Sequence, residues 1–523
     1  MSESESSVGR TKGKDAHRTN IAVVCSLADD IRSTMGPKGM DKMIVDGLGD
    51  IIVTNDGYTL LTNMRIKHPS AKLAIEAAIT QQEKVGDGTT SVVVLAGELL
   101  RRAQHLLEMN IHPSLIAQGY RLAEGMAQTI LKQIGEPASI DTPQLLLSAA
   151  QTAMIGKSAE SAKDHLSQLA LKGIEQTIDT KAGRQDVDLR SLKLERMIGG
   201  SLDQSELLNG VLISRERAHP HMPREVRQAK IAIIEQALEI RNPEITAQIQ
   251  ISDPAQMQAF IEQEQRTLAE ITAKLVATGC TAVFCQQNIE EPADYFLSKA
   301  GVLGVRRVPQ SDLIRIAQAT GARIVTNAVS VEPDDLGFAG RIREDNQSGR
   351  AMIFVEECKD PKAVTLVIRG ATEHAAEEAR RAMEDAIGDI ASILSDGKVV
   401  AGAGAIEIRL KRALDAWAKS SLKGKERLIV ETFAQALLVI PRTLIESTGQ
   451  DPIEVISQIE DEHEKGREWA GFDAVEGDVA DCWKREILEP SKIKAQALVS
   501  ATEVAVTILR IDDMFIGDTR DRA

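Results

Sequence analysis

Three glycine-rich turns carry the residue types that a polyphosphate site needs. Gly86-Asp87-Gly88-Thr89-Thr90-Ser91 stands just before an apolar helical run. Its glycines permit close backbone approach, free N–H groups at a helix start favour an anion, and three hydroxyls add donors. Asp87 is misplaced against bare phosphate, but it makes sense with Mg2+ between the two. A capping Asp or Thr accounts for the same spelling equally well. Thr34-Met35-Gly36-Pro37-Lys38-Gly39 ends a helix, and a C-cap followed by Pro is its simpler explanation. Thr54-Asn55-Asp56-Gly57 is accounted for by ordinary turn chemistry. Gly402-Ala403-Gly404-Ala405 reads as a tight strand-to-helix turn after Val399-Val400. Asp385 lies in a long helix among Ala382, Met383, Ala386 and Ile387, at the border of an apolar face where a carboxylate is usually solvated. If the fold brings Asp385 to Asp56 and Asp87, three carboxylates can divide metal binding and water activation between them.

Other chemistries are poorly served. No Gly-x-x-x-x-Gly-Lys-[Ser/Thr] exists, and no Gly-x-Gly-x-x-Gly follows a strand. His219 and His221 flank Pro220 in a Pro-rich loop, but no carboxylate or cysteine completes a metal site. Cys280 and Cys285 flank an expected buried strand and read as core residues. The five cysteines are odd in number and scattered, which excludes a zinc ribbon and argues against a secreted disulfide framework.

The elements that must position these turns follow from periodicity. Apolar residues three or four apart predict helices over 16–35, 70–84, 91–107, 373–394, 426–447 and 492–509. Met43-Ile44-Val45 and Ile51-Ile52-Val53 predict a hairpin around Asp46-Gly47-Leu48-Gly49. Between about 210 and 365 short β-like runs at 230–234, 281–285 and 323–325 alternate with helical patterns, an α/β order, and 364–368 adds a strand. Two mostly helical ends around an α/β middle suggest one domain built from both termini and interrupted by another. The chain has 523 residues, enough for three or four domains at roughly 100–200 residues each. Its net charge of −15 argues against nucleic-acid or anionic-membrane partners, and its 3% aromatic content against base-stacking platforms. No signal-peptide pattern opens the sequence and no apolar run approaches the length of a membrane span, so the expected location is cytoplasmic.

In order and spacing these turns resemble the chaperonin family along essentially the whole chain. The resemblance runs through Thr34 to Met43, Val53 to Gly57 and Gly86 to Ser91. It continues through Ile368-Arg369-Gly370-Ala371-Thr372-Glu373, Asp385-Ala386, Ile440 to Leu444, Glu489-Pro490 and Ala501-Thr502-Glu503. Asn242 to Ile251, continuing through Gln258 to Glu264, looks like the helical protrusion of the group II branch, as do Arg306-Arg307-Val308 and Ser311-Asp312-Leu313. A thermosome-like sequence is the nearest description.

That resemblance implies a multidomain α and α/β fold. It comprises a mostly helical equatorial ATPase domain at 1–142 and 400–523, an α/β intermediate hinge domain at 143–210 and 366–399, and an α/β apical domain at 211–365. A lid protrusion is implied at about 242–270. The implied function is ATP-dependent folding of non-native polypeptides inside a double ring of like subunits. A built-in lid would close it, with no separate co-chaperonin. ATP and Mg2+ are the implied cofactors. By resemblance, Gly36, Pro37, Gly88, Thr89, Thr90 and Ser91 hold the phosphates, and Lys157 reaches the terminal one. Asp87 binds the metal, Asp56 and Asp385 position or activate water, and Gly402 and Glu489 line the nucleoside end. Asp385 would arrive on closure. Three departures stand out. Ala403 puts a methyl where the family has glycine, which predicts crowding of the nucleotide and weaker affinity. Ser and Glu replace an apolar strand before Arg10, and the tail after Asp513 is short and polar; both predict weaker joining of subunits. These departures motivate a rival reading, a divergent paralogue that serves as a ring scaffold with weak ATPase activity. A small-molecule kinase is a third possibility, disfavoured by the missing phosphate-loop lysine motif.

Overall fold

The computed structural model describes residues 9–45, 49, 51–179, 186–239, 254–347, 350–359 and 361–516. The chain divides into two compact units, Met1–Leu171 with Arg381–Ala523, and Lys172–Arg380. The intermediate segments expected at 143–210 and 366–399 are shared between these units.

The first unit is built around the helix Thr89–Glu108, whose residues Val92 through Leu100 are all buried. Helices Gly13–Arg32, Pro69–Val85, Pro113–Ile134, Gly424–Ala436 and Ser491–Leu509 surround it. A core this poor in aromatics closes by bringing backbones near one another. Gly97 shows how: a Cβ there would lie 2.4 Å from Ala28 Cβ. Tyr120 and Phe433 meet edge to face at 5.5 Å, and the Tyr120 hydroxyl donates to Leu99 O at 2.9 Å, which satisfies its buried polar tip. Glu98, buried in the same helix, accepts from Arg101 and Arg102 at 2.9 and 2.7 Å.

Several expected elements shift. The stretch expected as one helix over 426–447 is two, Gly424–Ala436 and Val439–Glu446, with a turn at Leu437–Leu438. Pro441 causes this, because a ring there cannot follow an unbroken helical ladder. By length and composition Gly424–Glu446 also qualifies as a membrane span, contrary to the expectation that no such run exists; it is mostly buried within the unit. The hairpin forms from Lys42–Val45 and Ile51–Thr54, with 46–48 outside the described residues. Residues 1–8, where the Ser/Glu departure falls, also lie outside them. Gly9–Lys12 nevertheless pairs antiparallel with Asp513–Ile516, so the two chain ends form a short sheet of their own. Glu136–Pro137, Lys398–Ala401 and Leu488–Pro490 make a three-stranded sheet.

The second unit carries the α/β pattern. Its seven-stranded sheet runs Leu303–Val305, Ala282–Cys285, Glu225–Ile234, Gly337–Gln347, Arg350–Glu356 and Val211–Ile213, with Ile324–Val325 also paired to Glu225–Ile234. The first three strands are mutually parallel and the return strands antiparallel. Ala282–Cys285 is wholly buried, as an apolar run covered on both faces should be. Cys280 and Cys285 are core residues. A smaller mixed sheet joins Leu192–Ile198, Val364–Gly370 and Glu206–Leu208. Of the protrusion expected at about 242–270, residues 242–253 lie outside the described residues, and the rest begins the helix Pro254–Ala277.

Candidate functional site

A cavity of about 240 Å³ opens in the first unit, and nearly every turn singled out by sequence borders it. Its floor is the start of Thr89–Glu108. Gly88, at φ +83°, is the N-cap, and no side chain caps this helix. The Asp87 carboxylate accepts from the Gly88 N–H at 2.6 Å and so does not take the N2 or N3 groups that a capping residue would. The helix start with Thr89, Thr90 and Ser91 is left facing the cavity. Gln81, fully buried, donates to Asp87 O at 2.9 Å and Ile493 O at 3.2 Å, fixing this turn against the C-terminal helix.

The other turns close around it. A Cβ on Gly57 would lie 2.2 Å from Thr90 Oγ1, so glycine lets the 54–57 turn rest on the helix start. Asp56 caps the helix Gly57–Asn63, accepting from Tyr58 N at 3.3 Å, Thr59 N at 2.8 Å and Thr59 Oγ1 at 2.6 Å. The turn-chemistry explanation therefore holds for Asp56, which also lines the cavity. Asn55 Nδ2 donates to Gly156 O at 3.1 Å, tying this turn to the loop that carries Lys157, and Gly36 and Pro37 complete that wall.

Asp385 is not a solvated edge residue: it is buried in the cavity wall, and Lys157 Nζ lies 2.5 Å from its Oδ2. Burial pushes the Asp385 carboxyl up, Lys157 pulls it back, and Asp87 and Asp56 push it up further; the net shift is upward. Burial lowers Lys157, but Asp385 and Asp87 outweigh it and the ammonium is held more firmly protonated. One turn along the same helix, Glu373–Asp396, Asp389 also borders the cavity, and burial raises it well above the ordinary carboxylate range.

At the opposite end, Gly402 stands behind Glu489 and is not itself in the cavity wall. A Cβ there would lie 2.3 Å from Glu489 Oε1. Ala403 and Gly404 form the wall instead, with Ala403 at φ +54°. Glu489 is paired with Lys494 at 2.5 Å, and Lys494 with buried Glu407 at 2.9 Å. Sequence reasoning missed Asp389, Lys494, Glu407 and Gln81. The four-residue spacing from Asp385 was a usable signal for Asp389, since it puts both on one helix face. Nothing local marked the other three. The His219 and His221 rings lie 5.3 Å apart, tilted by 43°. Among the described residues, no three His, Cys, Asp or Glu side chains are grouped to hold a metal.

The donor set fits a polyphosphate with a hard cation. An uncapped helix start and the Lys157 ammonium suit anionic oxygens, while Asp87 and its neighbouring carboxylates suit an oxygen-seeking ion that needs phosphate oxygens to complete its shell.

Residues 27–518 match the TCP-1/cpn60 chaperonin family. A thermosome subunit of Methanopyrus kandleri is 50% identical over 97% of this chain and 92% of its own length. A thermosome subunit beta of Archaeoglobus fulgidus is 48% identical over 97% of this chain and 92% of its own. A thermosome subunit of Pyrococcus horikoshii is 48% identical over 98% and 93%.

Proposed function

The chain belongs to the TCP-1/cpn60 chaperonin family, and we propose that it is an ATP-hydrolysing group II subunit of a cytoplasmic double ring that encloses non-native polypeptide. The observation that carries the ATPase reading is the uncapped, glycine-flanked helix start at Thr89, with Asp87, Asp56 and the Lys157–Asp385 pair around it. In this reading Gly36, Pro37 and the 88–91 turn bind the phosphates, and Asp87 holds Mg2+. The metal, when bound, neutralises phosphate charge. Asp385 accepts the proton of the attacking water, and its burial-raised basicity suits that task near neutral pH. Lys157 fixes one Asp385 oxygen and meets the terminal phosphate. Asp56, braced by Thr59, orients the water. Glu489, held by Lys494, faces the nucleoside end.

The equatorial, intermediate and apical division, with a lid near 242–270, is proposed on the same footing. The gathering of Asp56, Asp87, Asp385 and Lys157 on one cavity supports hydrolysis over the scaffold reading. Phosphate release from Mg2+-ATP by the purified protein, measured with protease protection of a denatured client, tests this. Release with ATP-dependent protection is expected. Intact stacked rings with neither activity would return the scaffold reading, and transfer of phosphate to a small acceptor would favour a kinase.

A further inference from the structure

Asp389 has no part in the scheme above, and its surroundings make that costly. It is 2% exposed, it borders the nucleotide cavity, and its Oδ1 is buried with no hydrogen-bond partner. A carboxylate oxygen is rarely left bare in a protein interior. Burial weighs against its charge first, and then Asp87, Asp385 and Glu489 repel it; Lys157, already engaged with Asp385, offsets this only in part. The backbone holds it there: a Cβ on neighbouring Gly388 would lie 3.1 Å from Gly86 Cα, so the helix presses directly on the phosphate turn.

Asp389 can carry its charge here only beside a further cation, because Lys157 is already engaged by Asp385. Asp56, Asp87, Asp385 and Asp389 line the cavity together with Lys157, which touches Asp385, and a triphosphate brings further negative charge. Asp87 Oδ1 accepts from the Gly88 N–H, so its Oδ2 is the oxygen left for the first ion. We propose that Asp389 is a ligand of a second hard divalent cation, which enters with the nucleotide and bridges Asp389 to phosphate oxygen. The ligands are all oxygens, which selects an ion of the Mg2+ or Mn2+ class over softer metals. Because no three side chains among the described residues are grouped to hold a metal, the phosphates must complete the shell, and the ion binds only with them. This rests on the nucleotide reading of the cavity.

The test counts Mn2+ bound per bound non-hydrolysable ATP analogue, by equilibrium dialysis and electron paramagnetic resonance on the full-length protein. Wild type should hold two Mn2+ per analogue. Asp389→Asn and Asp389→Leu should hold one, with analogue still bound. Asp389→Leu should melt, without nucleotide, no lower than wild type, because it removes the orphan oxygen. One Mn2+ per analogue in wild type, or two in either variant, overturns the proposal while leaving the nucleotide site standing. A lowered melting temperature with an unchanged Mn2+ count makes Asp389 structural and also overturns it. If wild type binds no analogue at all, the nucleotide reading fails and the second cation with it.

Discussion

Ala403 holds a left-handed backbone at φ +54°, a conformation that costs a residue bearing a Cβ roughly 1–2 kcal/mol. Its carbonyl accepts from Phe472 N at 3.0 Å, so the strained turn is pinned to the strand Ala470–Asp473 at the cavity wall. Ala403→Gly should therefore raise stability slightly or leave it level, since relief of strain exceeds the roughly 0.5–1 kcal/mol of added chain entropy. A thermal melt decides it, and a loss of stability would contradict the strain argument. The Lys157–Asp385 pair makes a sharper case. Lys157→Met leaves a buried carboxylate without its cation and should cost on the order of 3 kcal/mol, while Lys157→Met with Asp385→Leu should recover much of that. A double-variant loss equal to the sum of the two single-variant losses, by chemical denaturation, would show that the pair is not coupled. What was legible at this scale was the turns, because glycine and proline act locally. Asp385 reads as a solvated edge because helix periodicity reports a face, not what later covers it. Lys494 and Glu407 meet across 87 residues of sequence, which no local pattern encodes.

The helix Thr89–Glu108 joins the Gly86–Ser91 turn to the core, so its packing governs the cavity floor. Ala at position 97 would gain about 1 kcal/mol of helix propensity. Its Cβ would also meet Ala28 Cβ at 2.4 Å, a contact on the facing helix that no side-chain rotation relieves. Gly97→Ala should destabilise by about 1–3 kcal/mol, the usual scale of overpacking. Denaturant titration reads this, and a stabilised variant would mean that helix Gly13–Arg32 is free to withdraw. Element types were largely legible because apolar spacing in this aliphatic chain is clean. The break at Leu437–Leu438 was not, since the apolar period continues across it and only Pro441 marks the change. Lys398–Ala401, by contrast, is a strand of four residues whose partners Glu136–Pro137 and Leu488–Pro490 come from distant parts of the chain.

For the whole molecule, the proposed function has hydrolysis in the first unit drive enclosure by the second. Deleting 245–260 should leave ATPase activity largely intact and abolish protease protection of a client in the presence of ATP and a transition-state mimic. The helix Pro254–Ala277 keeps its buried anchors Leu268 and Leu275 in that variant, so the rest of the second unit should fold. Undiminished protection would remove the lid from the account. The interruption of one helical unit by an α/β unit was legible in the change of period; the positions at which the chain crosses between them, near Leu171 and Arg381, were not, because each falls inside a continuous helix, Lys163–Thr177 or Glu373–Asp396. The most direct measurement of the central claim is single-turnover hydrolysis and nucleotide affinity on one preparation of Asp385→Ala. A proton acceptor acts in the transition state, so hydrolysis should slow by on the order of a hundredfold or more while affinity stays near that of wild type. Hydrolysis at the wild-type rate, or affinity falling as steeply as rate, would contradict the role given to Asp385.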